Sequence, residues 1–198
     1  VHGFIDFGGR KMSKSAGVGI DPAEVIGKYG VDPLRYYLLR EIPFQRDGSF
    51  TSEGMDARYH NELGNDLGNL LNRTVSMMQR YRDGILPKPG SDTEAERALK
   101  SAAHRAWETV DTGFDQWMFS EALSELWRFV GAANRYVDAT KPYVLAAEGD
   151  MEGRLDTILY NLAEGVRNAA LLAAPAIPET SNRMYAQLGL PTIEGAAW

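Results

Sequence analysis

The sequence predicts a mainly α-helical protein in which a small α/β segment, residues 1–51, precedes an antiparallel helix bundle, residues 52–198. Three observations carry this. Strand formers cluster only ahead of Ser52. Beyond it, apolar residues recur at helical spacing in four long stretches. Proline and glycine interrupt those stretches with short connections, which makes successive helices fold back on one another.

Val1 to Phe7 is rich in strand formers, and Gly8-Gly9 is a two-residue hairpin signal that would return the chain toward Lys11. Asp21-Pro22-Ala23-Glu24 reads as a helix start, with Asp21 as N-cap, Pro22 at the first helical position and Glu24 closing a capping box. Val25, Ile26 and Tyr29 give this helix an apolar side, and Gly30 stops it. Asp32-Pro33 repeats the device, so a second helix is expected from Pro33 to about Glu41, burying Leu34, Tyr37 and Leu38 until Pro43 ends it. A brief strand from Asp47 to Thr51 follows.

The bundle opens with Leu63, Leu67, Leu70, Leu71, Thr74 and Met78, which predict a helix from about Glu53 to Arg82, ended by Asp83-Gly84. Pro87, Pro89 and Gly90 form a connection, and Ser91-Asp92-Thr93-Glu94 reads as a capping box opening a helix to about Val110, with Leu99, Ala102, Ala106 and Trp107 inward. Leu123, Leu126, Trp127, Val130, Ala133 and Val137 mark a third helix from about Ser120 to Ala139. Leu155, Ile158, Leu162, Val166 and Ala173 mark a fourth from about Glu152 to Ala174, and Pro175 and Pro178 precede a short terminal one. Large apolar residues on helical stripes are usually core, so Trp107, Trp117 and Trp127 are expected inside.

The 198 residues, 44% of them hydrophobic, can bury a substantial core. No run of 18 apolar residues and no basic-then-apolar leader occurs, which predicts a cytoplasmic chain without membrane contact. Zero cysteines exclude disulfides and thiolate metal sites, and His2, His60 and His104 lack ligand spacing, so no metal is expected. A net charge of −6 argues against a broad basic nucleic-acid surface, but a site reading a few unpaired bases needs fewer phosphate contacts.

Two constellations carry chemistry. Lys11-Met12-Ser13-Lys14-Ser15, between Gly8-Gly9 and Gly17, sets two lysines among small residues. It is no P-loop, for no G-x-x-x-x-G-K-[ST] string is present; the bland alternative is a solvated basic hairpin end. Asn69 and Arg73 stand four apart on one helical face, pairing an amide with a planar guanidinium that can meet the Watson–Crick edge of an unpaired base. Asn61, Asn65 and Asn72 share the polar side of that helix, and the alternative is a solvated face with local Asn–Arg bonds. Asn134 falls on the apolar side of its helix and reads as a hydrogen-bonded core residue.

The Lys11–Ser15 string is identical to the second signature loop of class I aminoacyl-tRNA synthetases, and the text from Gly30 to Leu38 also resembles that family, most closely the methionyl-tRNA synthetases. The resemblance implies a stem-contact fold followed by an anticodon-binding bundle. It implies that Lys11 and Lys14 are catalytic, their ammonium groups closing on the pyrophosphate as it leaves ATP, with Met12, Ser13 and Ser15 completing an ATP-binding loop. ATP with Mg²⁺ would be a substrate of the full enzyme, with no cofactor held tightly by this chain. Asn69 and Arg73 would recognise the first base of a CAU anticodon in the anticodon stem-loop of tRNA(Met). Tyr143, after Lys141-Pro142, stands where the family usually places a base-stacking Trp; its alternative is an ordinary core-edge ring.

The resemblance covers nearly the whole chain but only the C-terminal part of such enzymes. The other signature, His-x-Gly-His, is absent, so the N-terminal catalytic domain is an expected partner and the chain alone is expected not to form methionyl-adenylate. A fragment of a Val-, Ile-, Leu- or Cys-specific synthetase shares the loop, but Asn69/Arg73 with the Lys141-Pro142-aromatic segment favours methionine. A noncatalytic tRNA-binding or assembly module on the same scaffold is the alternative from another class.

Overall fold

Two short strands frame the N-terminal segment of the computed structural model, which describes residues 3–9, 19, 21–44, 46–149 and 153–196. β1 (Ile5–Phe7) pairs in parallel with β2 (Gly48–Phe50), in the register Ile5 to Gly48 and Phe7 to Phe50. The partner of β1 is therefore β2 and not, among the described residues, a returning hairpin strand. Gly8 (φ 56°) and Gly9 (φ 79°) do take the positive angles of a tight turn. The N–H of Gly8 extends the ladder by donating to the Phe50 carbonyl at 3.0 Å.

Between the strands lie α1 (Pro22–Tyr29) and α2 (Val31–Glu41). Asp21 caps α1 as predicted, accepting from the N–H of Ala23 at 2.8 Å. Asp32 does not cap its own helix. α2 begins two residues ahead of the expected Pro33, and the buried Asp32 carboxylate accepts from the N–H of Thr180, at 2.6 Å, in the first turn of α9 (Pro178–Gln187). Arg35 adds bonds to the carbonyls of Pro175 and Ala176 just ahead of that helix. α2 thus serves the bundle's last helix at both sides of its start.

The predicted helix from Glu53 to Arg82 is one helical rod with an unforeseen interior. α3 (Ser52–Ala57), capped by Thr51, passes into a π-helical stretch (Arg58–Gly68) and then α4 (Asn69–Arg82), closed by Asp83 in the left-handed region. α5 (Glu94–Asp115), α6 (Phe119–Thr140), α7 (Pro142–Glu148) and α8 (Arg154–Ala173) complete the bundle before α9. The capping box of α5 sits two residues later than expected. It joins Thr93 to Glu96, and the helix runs five residues past Val110. Gly113 lets α5 and α6 meet closely, for a Cβ there would stand 2.8 Å from that of Ala122.

The apolar stripes predicted for α6 and α8 are buried as expected. Neighbouring tyrosines divide α2 between two cores. Tyr36 enters the bundle core against Trp127 (ring centroids 4.5 Å apart), whereas Tyr37 joins a small core with Val25, Phe50 and Met55. Trp107 packs at the core edge and donates to Asn168 at 3.0 Å. Trp117 departs from its expected burial: it is 56% exposed, at the turn between α5 and α6, where it stacks on Phe44. Phe119 meets the same ring edge-on, with centroids 5.8 Å apart.

Candidate nucleic-acid interface

The described flanks of the Lys11–Ser15 loop are well defined. On one side is the β1 end with Gly8 and Gly9, tied back by the Gly9 N–H to Asp6 at 2.9 Å and to Ser49 at 3.2 Å. On the other is the Asp21 cap of α1. The loop itself, with Lys11, Met12, Ser13, Lys14 and Ser15, lies outside the described residues.

The residues of the second constellation come from α4, α6 and α7. Asn61, Asn65, Asn69 and Asn72 are all exposed, which places the asparagine face outside while Leu67, Leu70 and Thr74 go inward. Asn69 stands at the junction where the π-helical stretch returns to α-helix. Arg73 is one turn further and donates to Asp138 at 2.7 Å; the two side chains are 37% and 66% exposed. An ion pair this open to water is worth little, so the guanidinium can be given up to another acceptor at small cost. Asp138 carried no predicted role; nothing in its spacing singled it out, since its partner lies on another helix.

Asn134, half-buried on α6, donates to the carbonyl of Asp66 at 3.0 Å and to that of Val130 at 3.3 Å. It is the structural residue expected of it, and its bond fixes α6 to the π-helical stretch directly ahead of Asn69. Tyr143 lies in α7, a short helix between the expected third and fourth ones. Lys141 turns the chain through the left-handed region (φ 46°), its N–H closing α6 on the Val137 carbonyl at 3.0 Å. Pro142 is then buried at the first position of α7 and Tyr143 is left half exposed. Half of the Tyr143 surface is thus open to solvent.

Burial and neighbouring Glu62 push the Asp66 carboxyl above the usual carboxylate range. Among the described residues no group of three or more His, Asp or Glu could hold a metal ion, and no helix is long and apolar enough to cross a membrane.

Residues 1–75 match the family of class I tRNA synthetases (M), and residues 96–196 match the anticodon-binding domain of tRNA ligase. The methionine–tRNA ligase of Caldanaerobacter subterraneus subsp. tengcongensis is 47% identical over 189 residues, which cover 96% of this chain and 30% of that protein. That of Bacillus subtilis is 43% identical over 100% of this chain and 30% of its own length. A Mycobacterium tuberculosis methionyl-tRNA synthetase, solved in complex with methionyl-adenylate, superposes with a TM-score of 0.90 at 40% identity, covering 96% of this chain and 38% of that one. The chain belongs to the methionyl-tRNA synthetase family. It spans about three-tenths of the length of the curated relatives it matches, and the portion it spans includes the anticodon-binding domain. The mainly α-helical bundle is the architecture this membership carries, and the specificity of the named relatives disfavours the Val, Ile, Leu or Cys alternatives and the noncatalytic module.

Proposed function

We propose that this chain is the part of a methionine–tRNA ligase that reads the CAU anticodon of tRNA(Met) and lends the Lys11–Ser15 loop to methionine activation. The observation that carries the reading is Arg73, held on the surface by Asp138 beside the exposed Asn69. On this reading the guanidinium donates to the acceptor edge of cytosine and the Asn69 amide completes the pairing, while Tyr143 stacks on a base. Residues 1–51 act as the stem-contact segment and 52–198 as the anticodon-binding domain. Lys11 and Lys14 meet the charge that develops on pyrophosphate, with ATP and Mg²⁺ bound as substrate mainly by a nucleotide-binding domain outside this chain. The work is done in the cytoplasm.

The test is a comparison of two ligands. The chain is expected to bind an anticodon stem-loop bearing CAU more tightly than one whose first base is G or A, by about 1 to 3 kcal/mol if the pairing is bidentate. Arg73→Ala should erase that preference. Equal binding of both stem-loops by the folded parent chain would remove the anticodon assignment.

A further inference from the structure

The acidic balance of the chain leaves open how it holds an RNA backbone, and the outer face of α5 and α6 supplies an answer. A groove of about 660 Å³ runs between these helices, floored by Ala102, Phe129 and Ala132. Three arginines rim it: Arg105 from α5, and Arg128 and Arg135 from α6. Arg128 is committed to Glu125 three residues away, at 2.5 Å. Arg105 donates to the Ser101 hydroxyl at 2.9 Å and, like Arg135, has no carboxylate partner among the described residues. Glu108, the other acid of the groove, faces His104 at 3.4 Å.

The groove adjoins the base-reading site. Arg135 and Asp138 are three apart on α6 and therefore neighbours on one helical face, and Asp138 holds Arg73. Arg128 and Arg135 are seven positions apart, so the rim extends along α6 for about 10 Å, longer than one small anion requires. Arginine suits this position, for its planar fork pairs with phosphate oxygens bidentately.

We propose that Arg105 and Arg135 bind the phosphodiester backbone of the RNA whose anticodon base Arg73 reads. The proposal rests on the anticodon reading for its ligand but not for its test. Binding of labelled anticodon stem-loops, CAU and first-base-G, is measured from 50 to 200 mM salt for the parent chain, the folded double variant Arg105→Gln/Arg135→Gln, and Arg105→Lys/Arg135→Lys. The glutamine pair should weaken both stem-loops by the same factor, about tenfold, and flatten the log–log salt slope by about 1.4, that is, two contacts at about 0.7 each. Any CAU preference of the parent should survive, and the lysine pair should recover most of the slope. Unchanged affinity and slope in the glutamine pair would overturn the proposal, as would a loss confined to the CAU stem-loop. A glutamine pair that binds RNA like the parent but no longer binds polyglutamate would overturn it in favour of an acidic protein partner. If the parent shows no CAU preference yet the glutamine pair loses slope, the backbone site stands and the anticodon reading falls.

Discussion

Glu96 is fully buried yet charged. Burial opposes the charge, but bonds from Arg154, Thr93 and Tyr136 outweigh it and hold the carboxyl at about 2, below its ordinary 4.5. Its two oxygens close the α5 capping box through the Thr93 N–H (2.7 Å) and hydroxyl (2.6 Å) and gather Tyr136 of α6 and Arg154 of α8. The same contacts push the Tyr136 hydroxyl upward, burial first and Glu96 second. Because the folded carboxyl titrates below the unfolded one, its contribution is full above pH 4.5 and is lost as pH falls toward 2. The shift corresponds to about 3 kcal/mol. Glu96→Gln should therefore lower stability at pH 7 and show a shallower acid limb than the parent in denaturant titrations between pH 4.5 and 2. Parallel limbs would show that other carboxylates drive acid unfolding.

At the scale of the element, the N-terminus of α9 owes its cap to a residue 148 positions earlier. Asp32 accepts from the Thr180 N–H at 2.6 Å, an ionised acceptor for one of the donors a helix start leaves without an intrahelical partner. Asp32→Ala should cost about 1 to 2 kcal/mol, near the upper part of the range for N-caps because the group is buried. Hydrogen exchange separates this from the local reading of Asp32-Pro33. Protection should fall at Thr180 and its neighbours in α9, and a loss confined to the first turn of α2 would return Asp32 to its own helix. This element also marks what the sequence could reveal. The long helices were legible because apolar residues at 3.6-residue spacing leave a signal within each segment, and α6 and α8 follow it nearly to the residue. The cap of α9, the Arg73–Asp138 pair and the parallel pairing of β1 with β2 join residues far apart in sequence, which no local pattern records. The π-helical stretch was hidden for another reason. It continues the helical rod without a proline break, and the shift of each N–H to a carbonyl five residues back leaves no residue-type signal in the sequence. Asn69 and Arg73 were legible as a spaced pair; the short α7 that sets Tyr143 was concealed by the Lys141-Pro142 break, which reads as a loop.

For the whole molecule, the question is whether the segment ahead of Ser52 and the bundle are separable. Tyr36 is fully buried in the bundle core beside Trp127, and its hydroxyl donates to Glu62 in the π-helical stretch. Arg40 and Arg58 both reach the same carboxylate, so α2 and the rod are tied at a charged as well as an apolar contact. Ser120 donates to the Arg40 carbonyl at 2.7 Å, which fixes the start of α6 to the end of α2. A chain starting at residue 52 would lose this helix whole. The void left by one buried tyrosine, at 150 to 250 Å², corresponds to roughly 4 to 6 kcal/mol, a large share of the 5 to 15 kcal/mol that typically holds a domain together. Uncapping of α9 and the loss of Tyr36 and Arg40 from the Glu62 carboxylate, which keeps only Arg58, add to the cost. Residues 52–198 expressed alone should accordingly melt well below the parent chain, or bind a hydrophobic dye as a loosely packed bundle, and Tyr36→Ala in the intact chain should reproduce much of the drop. A truncated bundle as stable as the parent would show that the segment ahead of Ser52 is an attachment to the helix bundle and not part of its core.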